Sequence, residues 1–387
     1  MSQDTELIVI GGGLQGLSTA FWAARAGLRV TVVEKSMPGR HASGFSAGGV
    51  RTLGRALPEI PLALAALDLW YDLPTLLDDD GGFVPSAQVR IAENDADMRS
   101  LRERVAVTDA LGWTHEVLLD EAEVKTLLPA VAPHVVGGLV CRRDGFADPM
   151  RTTRAFLRAA TRAGAVVRVG AGVAGLERVQ GGWRVTLEDG SHLGAPRIVN
   201  AAGAWGRRIA RMVGDDFPLG FNALMMMFTA PLPPFITQVA LATGRPLSFK
   251  QVASGHVMIG GGPKGVADLD TGLTTLDVTR LAASARTALE LFPVLKDVAI
   301  LHAWAGIEAI MPDEIPVIGR SSRAEGIVHL CGFSGHGFAL SPLTGRIAAD
   351  LVLGRESPYP IEAFSPDRFV PGVDTDRPSG TMLQPAG

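Results

Sequence analysis

Apolar positions in the first 34 residues change period twice. Leu7–Ile10 is a short apolar run, Leu14–Ala26 carries apolar residues at helical spacing, and Leu28–Val33 is a second run rich in β-branched residues. Gly27 stands where a helix C′ glycine belongs. The pattern predicts strand, tight turn, helix and strand, one βαβ unit closing on Glu34. Downstream, the same reading predicts helices over Leu62–Leu77, Asp95–Gly112, Asp120–Leu128, Pro149–Ala163 and Val278–Leu291. Strands are predicted over Phe83–Ile91, Val135–Cys141, Ala165–Val169, Trp183–Leu187, Ile198–Val199, Leu247–Ile259, Ile300–Ile307 and Ile327–Leu330. Ser341-Pro342 reads as the N-cap and first position of a last helix with Leu343, Ile347, Leu351 and Val352 on its apolar face. After Pro358 the chain is Pro-rich and has no period, which predicts a wrapping or loose extension with residues 371–387 as a tail.

Gly11-Gly12-Gly13-Leu14-Gln15-Gly16 places G-x-G-x-x-G at the first strand-to-helix junction. Gly11 permits the turn, Gly13 lets backbone approach a pyrophosphate, and Gly16 allows helix and strand to pack closely. The positive helix end faces the phosphates. Glu34 follows Gly16 by 18 residues, at the strand end where a carboxylate accepts hydrogen bonds from a ribose. The same letters recur at Gly260–Gly265, but Pro263 and the polar residues after it allow no helix, so that copy predicts a turn. Met37–Arg51 reads as a small-residue loop beside the dinucleotide turn, suited to backbone contact with a ligand. Its G-x-S-x-G around Ser46 lacks the preceding strand that a hydrolase elbow needs. Asn200–Gly206 is a second place where small residues end a strand and enter a helix.

At 387 residues the chain exceeds one core, so two lobes are expected. A net charge of −4 gives no electrostatic reason to expect nucleic acid or an anionic membrane as partner. Two cysteines, Cys141 and Cys331, make no disulfide framework and fit a reducing compartment. The N-terminus lacks a basic segment before its apolar run, so no secretory signal is expected and the location read is cytoplasmic. Phe217–Gly244 contains no charged residue, yet Pro218, Pro231, Pro233 and Pro234 exclude a spanning helix. Two readings of it stand: buried strands joined by a Pro-rich loop, or an interface with another subunit through Leu224–Phe228.

Five motifs in order, GGGLQG with Glu34, ASGFSAGGVR, NAAGAWG, WAGIEAIMPDEIPVIG and GFSGHGF, span Leu7 to Ala349. In this order the chain resembles the FAD-dependent D-amino-acid oxidase superfamily, which includes glycine oxidase and the β-type subunits of sarcosine oxidase, opine oxidase and hydroxyproline dehydrogenase. The resemblance implies an α/β architecture with an α+β second lobe: a Rossmann-type FAD-binding domain and an antiparallel-sheet substrate domain. The FAD domain would be discontinuous, over 1–85, 140–215 and 300–370, with 86–139 and 216–299 as the substrate domain. By similarity, Gly11, Gly13, Leu14, Gln15 and Gly16 hold the pyrophosphate turn, and Glu34 and Lys35 the ribose side. Ser43, Gly48 and Gly49 line the flavin, Val173 the adenine, and Ala202, Gly203 and Trp205 the phosphates. Gly306, Gly332, Gly335, His336 and Gly337 lie by the ring. Relatives with covalent flavin use a cysteine near Gly306, and neither cysteine stands there, so non-covalent FAD is implied. Many relatives have Asn where this chain has Ser46.

The implied reaction is oxidation of the C–N bond of an amino acid or secondary amine (an opine, D-hydroxyproline, an N-methyl or a D-amino acid) by hydride transfer to flavin N5. The alternatives are a flavin-dependent 2-hydroxy-acid dehydrogenase and a flavin-holding subunit active only in a hetero-oligomer. His336 and His302 are the candidate titrating groups. His302 precedes Trp304 by two residues, so both share one strand face. Arg51 and Lys250 are candidate carboxylate clamps; each is otherwise a solvated charge or an ion pair with the cofactor. Relatives that oxidise amino acids place an arginine after the WAG stretch, where this chain has Glu308. An ionised glutamate cannot hold a carboxylate, so Glu308 either faces the substrate's amine or is a structural carboxylate paired with an arginine. His329, Cys331 and His336 lack a fourth ligand, and no metal is expected.

Overall fold

The computed structural model describes residues 5–369; the tail 371–387 lies outside them. Leu7–Ile10 is wholly buried and sits at the centre of a six-stranded sheet, paired in parallel with Val30–Glu34 and with Arg197–Asn200. Its alternate residues serve two cores. Leu7 and Val9 pack with helices Leu14–Arg25, Ile60–Tyr71, Pro149–Arg162 and Gly337–Val352. Ile8 and Ile10 pack toward a three-stranded antiparallel sheet carrying Trp183, Val185 and Leu187. Burial on both faces is why this strand is apolar throughout instead of alternating. The full order is Val317–Arg320, Ile327–Cys331, Arg197–Asn200, Leu7–Ile10, Val30–Glu34, Val166–Val169, and only the first pair is antiparallel. Ile10 pairs with Asn200 and Asn200 with His329, so the turns after three strands emerge along one carboxyl edge.

The second sheet has ten strands. Its spine is Gly220–Thr229 paired antiparallel with Ile300–Ile310, register Leu224↔Gly306 and Asn222↔Glu308. One internal pair, Val239–Ala242 with Gln88–Ala92, is parallel, so the expected antiparallel sheet is in fact mixed. Helix Val278–Leu291 covers it, started by Asp277 Oδ1 accepting from Arg280 N–H (3.1 Å). Phe249 stacks on Phe292 beneath (centroids 4.4 Å apart). Met225, Met226 and Met227 are buried within this chain, so the Leu224–Phe228 run is core strand and not an intersubunit surface. No helix among the described residues is long and apolar enough to cross a membrane.

Several expectations need correcting. Residues 300–310, expected within the FAD-binding segments, pair into the large sheet. The predicted loop 37–51 contains a helical turn, Ala42–Phe45, and a short strand, Gly49–Val50. Leu62–Leu77 is broken at Asp72 ahead of Pro74. Phe83–Ile91 divides at Ala87 (φ +64°), its halves Val84–Pro85 and Gln88–Ala92 joining different sheets. The last helix starts at Gly337, four residues before Ser341-Pro342. Pro342 lies inside it and has no N–H for the Phe338 carbonyl; Ser341 Oγ donates to that oxygen instead (2.9 Å). Ser341 therefore compensates for a proline within the helix and does not cap it. The Gly260–Gly265 segment is a turn between Val257–Gly260 and Lys264–Asp268, as predicted.

The first and last helices touch with almost no side chain between them. A Cβ on Gly345 would stand 2.6 Å from the Ser18 carbonyl carbon, and Gly345→Ala must push the helices apart. The expected loss is about 1–3 kcal/mol in urea denaturation, against less than about 0.5 kcal/mol for Gly175→Ala, whose Cβ meets nothing. Equal stability of the two variants contradicts this packing.

Candidate active site

Two cavities meet beyond the carboxyl edge of the six-stranded sheet. The outer, about 490 Å³, is lined by Leu14, Glu34, Val173, Ala202, Trp205 and Gly332 among others. The inner, about 350 Å³, lies between the 42–51 segment and the large sheet. Ala42, Ser46, Glu308, Gly335 and Phe338 line both.

The outer cavity has the parts a dinucleotide needs. Gly11 (φ +110°) turns the chain so closely under Ala201 that a Cβ would stand 2.8 Å from the Ala201 carbonyl carbon. Gly13 and Leu14 open the helix into the cavity. Ser43 Oγ, brought in by the turn at 42–45, accepts from Leu14 N–H (2.9 Å). Glu34 Oε2 accepts from Gly12 N–H (2.7 Å) and Oε1 from Ser36 N–H (2.9 Å). A carboxylate has about four lone-pair positions, so lone pairs remain for ribose hydroxyls. Gly335 (φ +87°) has nothing within 4 Å of where its Cβ would be, so backbone there faces open space that a side chain would fill. Lys35, Gln15 and Gly203 also line this cavity, and Lys35 pairs with Glu188 (3.6 Å). Gly337 lines it where Gln15 Nε2 donates to the Gly337 carbonyl (2.8 Å). His41 tilts against Trp205 (4.7 Å), and burial with the charges of Arg40 and Lys35 lowers its pKa to about 4.

Other assigned residues lie elsewhere. Gly16 lines neither cavity; it packs against the Gly11 carbonyl, which leaves no room for a side chain. Gly48 also lines neither, being pressed on the Ala147 carbonyl while its N–H donates to Ser46 Oγ (3.0 Å). Gly49 and Gly306 line the inner cavity, and a Cβ on Gly306 would stand 2.8 Å from Phe45 Cβ. His302 is a correction: it is exposed on Ile300–Ile310, stacked on Trp304 at 5.6 Å, and reaches neither cavity. The two share a face as expected, but that part of the strand runs beyond the site. Cys331 lines the outer cavity with its thiol pushed up to about 12 by burial. His329 is held between Asp215 (2.8 Å) and Asn200 (3.1 Å), and so does not converge with Cys331 and His336 on a common point.

Charge gathers at the inner cavity. Glu308 Oε1 accepts from Gly335 N–H (2.7 Å), and burial raises its carboxyl to about 7, only partly offset by that bond. No arginine pairs with it among the described residues, so the arginine-paired alternative does not hold. Lys250 Nζ donates to the Ala47 carbonyl (2.7 Å) and lies 4.2 Å from the Phe146 ring centre; burial lowers it to about 7. Arg51 lines the cavity, half-buried. His336 is buried, and Glu59 Oε1 lies 3.0 Å from its Nδ1. Burial lowers the imidazole to about 4, outweighing the Glu59 carboxylate, so it is neutral at physiological pH. Burial pushes Glu59 upward, but the imidazole hydrogen bond and the charges of Arg55 and Arg51 hold it below the usual range.

Sequence reasoning missed Glu59, Arg55 and Arg90, which line or back the inner cavity. Two signals were present: Arg51, Arg55 and Glu59 recur every four residues ahead of an apolar helix, and Arg90 interrupts the apolar run Val89–Ala92. A charge within a buried pattern needs a partner or a ligand.

A family model described as FAD dependent oxidoreductase (DAO) matches residues 6–351. The chain is 28% identical over 380 residues to an opine oxidase subunit from Agrobacterium tumefaciens (strain Ach5), covering 95% of this chain and 98% of that protein. It is 26% identical over 392 residues to mitochondrial dimethylglycine dehydrogenase of Mus musculus, covering 94% of this chain but only 44% of that protein, less than half its length. The crystal structure of glycine oxidase from Geobacillus kaustophilus superposes with a TM-score of 0.87 at 22% identity, covering 95% of this chain and 100% of that one, a likeness of fold.

Proposed function

The chain belongs to the DAO family of FAD-dependent oxidoreductases, and from that premise we propose that it oxidises the C–N bond of an amino acid or secondary amine held in the inner cavity. The observation that carries this reading is Glu308, a half-buried carboxyl at the junction of a dinucleotide-shaped cavity and an arginine-lined one. Non-covalent FAD fits the outer cavity: the backbone at Gly13, at the end of the helix it opens, would take its phosphates, Glu34 its ribose, and Gly335 its ring end. When bound, FAD supplies a two-electron acceptor for the hydride leaving the carbon beside nitrogen.

The chain's own groups divide the remaining work. Arg51 is the carboxylate clamp, since its planar fork matches a carboxylate and fixes which substrate carbon points at the junction. Lys250, near neutrality, adds a weaker hold. The amine must shed a proton before a hydride can leave, and Glu308 is the acceptor, its Oε2 taking no hydrogen bond from the described residues. His336 stays neutral against Glu59 and shapes the wall, lining the cavity without carrying charge. Phe338 and the glycines around it exclude water from the junction.

Assembly with a partner chain is a second element of the proposal. The opine oxidase relative is by its name one subunit of a larger enzyme. Here the outermost strand of the large sheet, Leu273–Thr275, has one edge unpaired among the described residues, with Leu273 61% exposed and Val266, on the neighbouring strand Lys264–Asp268, 69% exposed. Size exclusion of the chain alone and co-expressed with its genomic neighbours is expected to show a larger complex only in the second sample; an unchanged elution contradicts the partner.

Anaerobic mixing with an amine panel is expected to bleach the flavin absorbance, and bleaching by 2-hydroxy acids alone contradicts amine oxidation. The reduction rate is expected to rise as pH passes about 7, because Glu308 accepts a proton only above its raised pKa. Glu308→Gln keeps an acceptor for Gly335 N–H but loses that rise and about a hundredfold in rate. A variant with the full rate and the same pH profile removes Glu308 from the mechanism.

A further inference from the structure

The inner cavity holds more positive charge than the protein around it neutralises. Arg51, Arg55 and Arg90 all line it. Arg55 is 1% and Arg90 7% exposed, and neither is spent on a carboxylate hydrogen bond. Arg55 Nε donates to the Arg51 carbonyl (3.0 Å), while Arg55 Nη1 and Arg90 Nε are buried with no partner. No hydrogen bond or ion pair engages the side chains of Arg51 or Arg90 among the described residues.

The nearby acids are committed to other donors. Asp144 accepts from Thr52 N–H, Thr52 Oγ1 and Leu53 N–H at 2.7–3.0 Å. Glu116 takes Arg104 (2.8 Å) and Gly54 N–H (2.5 Å). Glu59 lies against the neutral His336 (2.9 Å) with Oε2 making no hydrogen bond among the described residues, and its charge, with that of Asp144, offsets part of the charge on Arg51 and Arg55. Arg245, at the same cavity, is spent on Glu93 (2.6 Å) and Glu290. The neighbouring guanidiniums also repel: Arg51 lowers the pKa of both Arg55, to about 9, and Arg90, to about 10, though burial is the larger cause and both remain charged at neutral pH. Three guanidiniums face the charges of Glu59 and Asp144 without a direct hydrogen bond to either, so positive charge is left over in the cavity wall, and the simplest compensation is an anionic ligand.

We infer that the amine substrate carries two carboxylates, one held by Arg51 beside the reacting carbon and a second held by Arg90 with Arg55. This rests on the amine-oxidation reading for the position of the first carboxylate. The second needs only the unpaired guanidiniums. An N-carboxyalkyl amino acid or an acidic amino acid has this chemistry, whereas a simple monocarboxylate held by Arg51 leaves the Arg90 guanidinium without a carboxylate. Arg90 is then the specificity-determining residue, set on strand Gln88–Ala92, where the sheet fixes its direction.

The test uses acids that cannot be oxidised, so it reports even if no amine proves to be a substrate. Purified flavoprotein is titrated with propionate, succinate, glutarate and inorganic phosphate, and binding is read from thermal midpoint and flavin absorbance. Succinate or glutarate is expected to bind about tenfold or more tightly than propionate, from the added charge-assisted hydrogen bonds, and more tightly than phosphate. Arg90→Gln is expected to bring that ratio close to one, and Arg90→Lys, which keeps charge without the fork, to an intermediate value. Equal binding of propionate and dicarboxylates by the wild-type protein overturns the inference without needing any variant to fold. Phosphate binding as tightly as glutarate also overturns it, by showing a general anion site. Amine oxidation with no preference for dicarboxylated substrates overturns this inference alone and leaves the amine reading in place.

Discussion

One glutamine ties the two ends of the fold together. Gln15, on the first turn of the first helix, donates through Nε2 to the Gly337 carbonyl (2.8 Å) and accepts through Oε1 from Thr344 Oγ1 (2.6 Å). Its donor and acceptor reach the start and the second turn of the last helix, about 320 residues away. Trp22 Nε1 adds a bond to the Pro342 carbonyl (3.0 Å), and Trp70 Nε1 one to Ala339 (2.7 Å). These carbonyls lie on either side of the point where Pro342 interrupts the helix ladder; Ser341 Oγ takes up the freed Phe338 carbonyl, and the two indole donors pin the same stretch to helices Leu14–Arg25 and Ile60–Tyr71. The dinucleotide turn and the Gly332–Gly337 turn are thereby held at one edge, with the cavity between them.

That placement sets the chemistry. A long strand of the second sheet, Ile300–Ile310, carries Glu308 to the same edge, where Gly335 N–H meets it. Neither sheet alone makes the site. The nucleotide sheet provides glycines and helix ends suited to phosphate, while the large sheet and the 49–59 segment provide cations. The carboxyl where they meet is poised near neutrality by burial alone, since one backbone donor only partly offsets its desolvation. A group that holds or releases a proton near pH 7 is what a reaction starting from an ammonium and ending with a lost hydride requires.

The nucleotide half was legible in the sequence because its information is local. A strand, a glycine turn and a carboxylate 18 residues beyond Gly16 constrain each other within one βαβ unit. Helices with their own side-chain caps, such as Asp148-Pro149 and the Asp120–Glu123 capping box, were legible for the same reason. The inner cavity was less so. Arg51, Lys250 and Glu308 could be named, but the Glu59–His336 pair spans 277 positions and has no local signature. His302 misled because face-sharing with Trp304 says nothing about where along a strand the site ends. Ser341-Pro342 misled because serine before proline caps a helix by one hydrogen bond and repairs one by another. Only the tertiary position of Phe338 decides between them.

Catalysis at Glu308 requires the outer and inner cavities to be one continuous site divided at that residue. A crystal structure of the FAD complex tests this most directly. It is expected to show the phosphates at Gly13 and Leu14, the ribose on Glu34 and the isoalloxazine edge within hydrogen-bonding or van der Waals reach of Gly335 and Glu308, one face toward Arg51 and Arg90. A ring that lies away from Glu308, or that fills the arginine-lined cavity itself, contradicts the account.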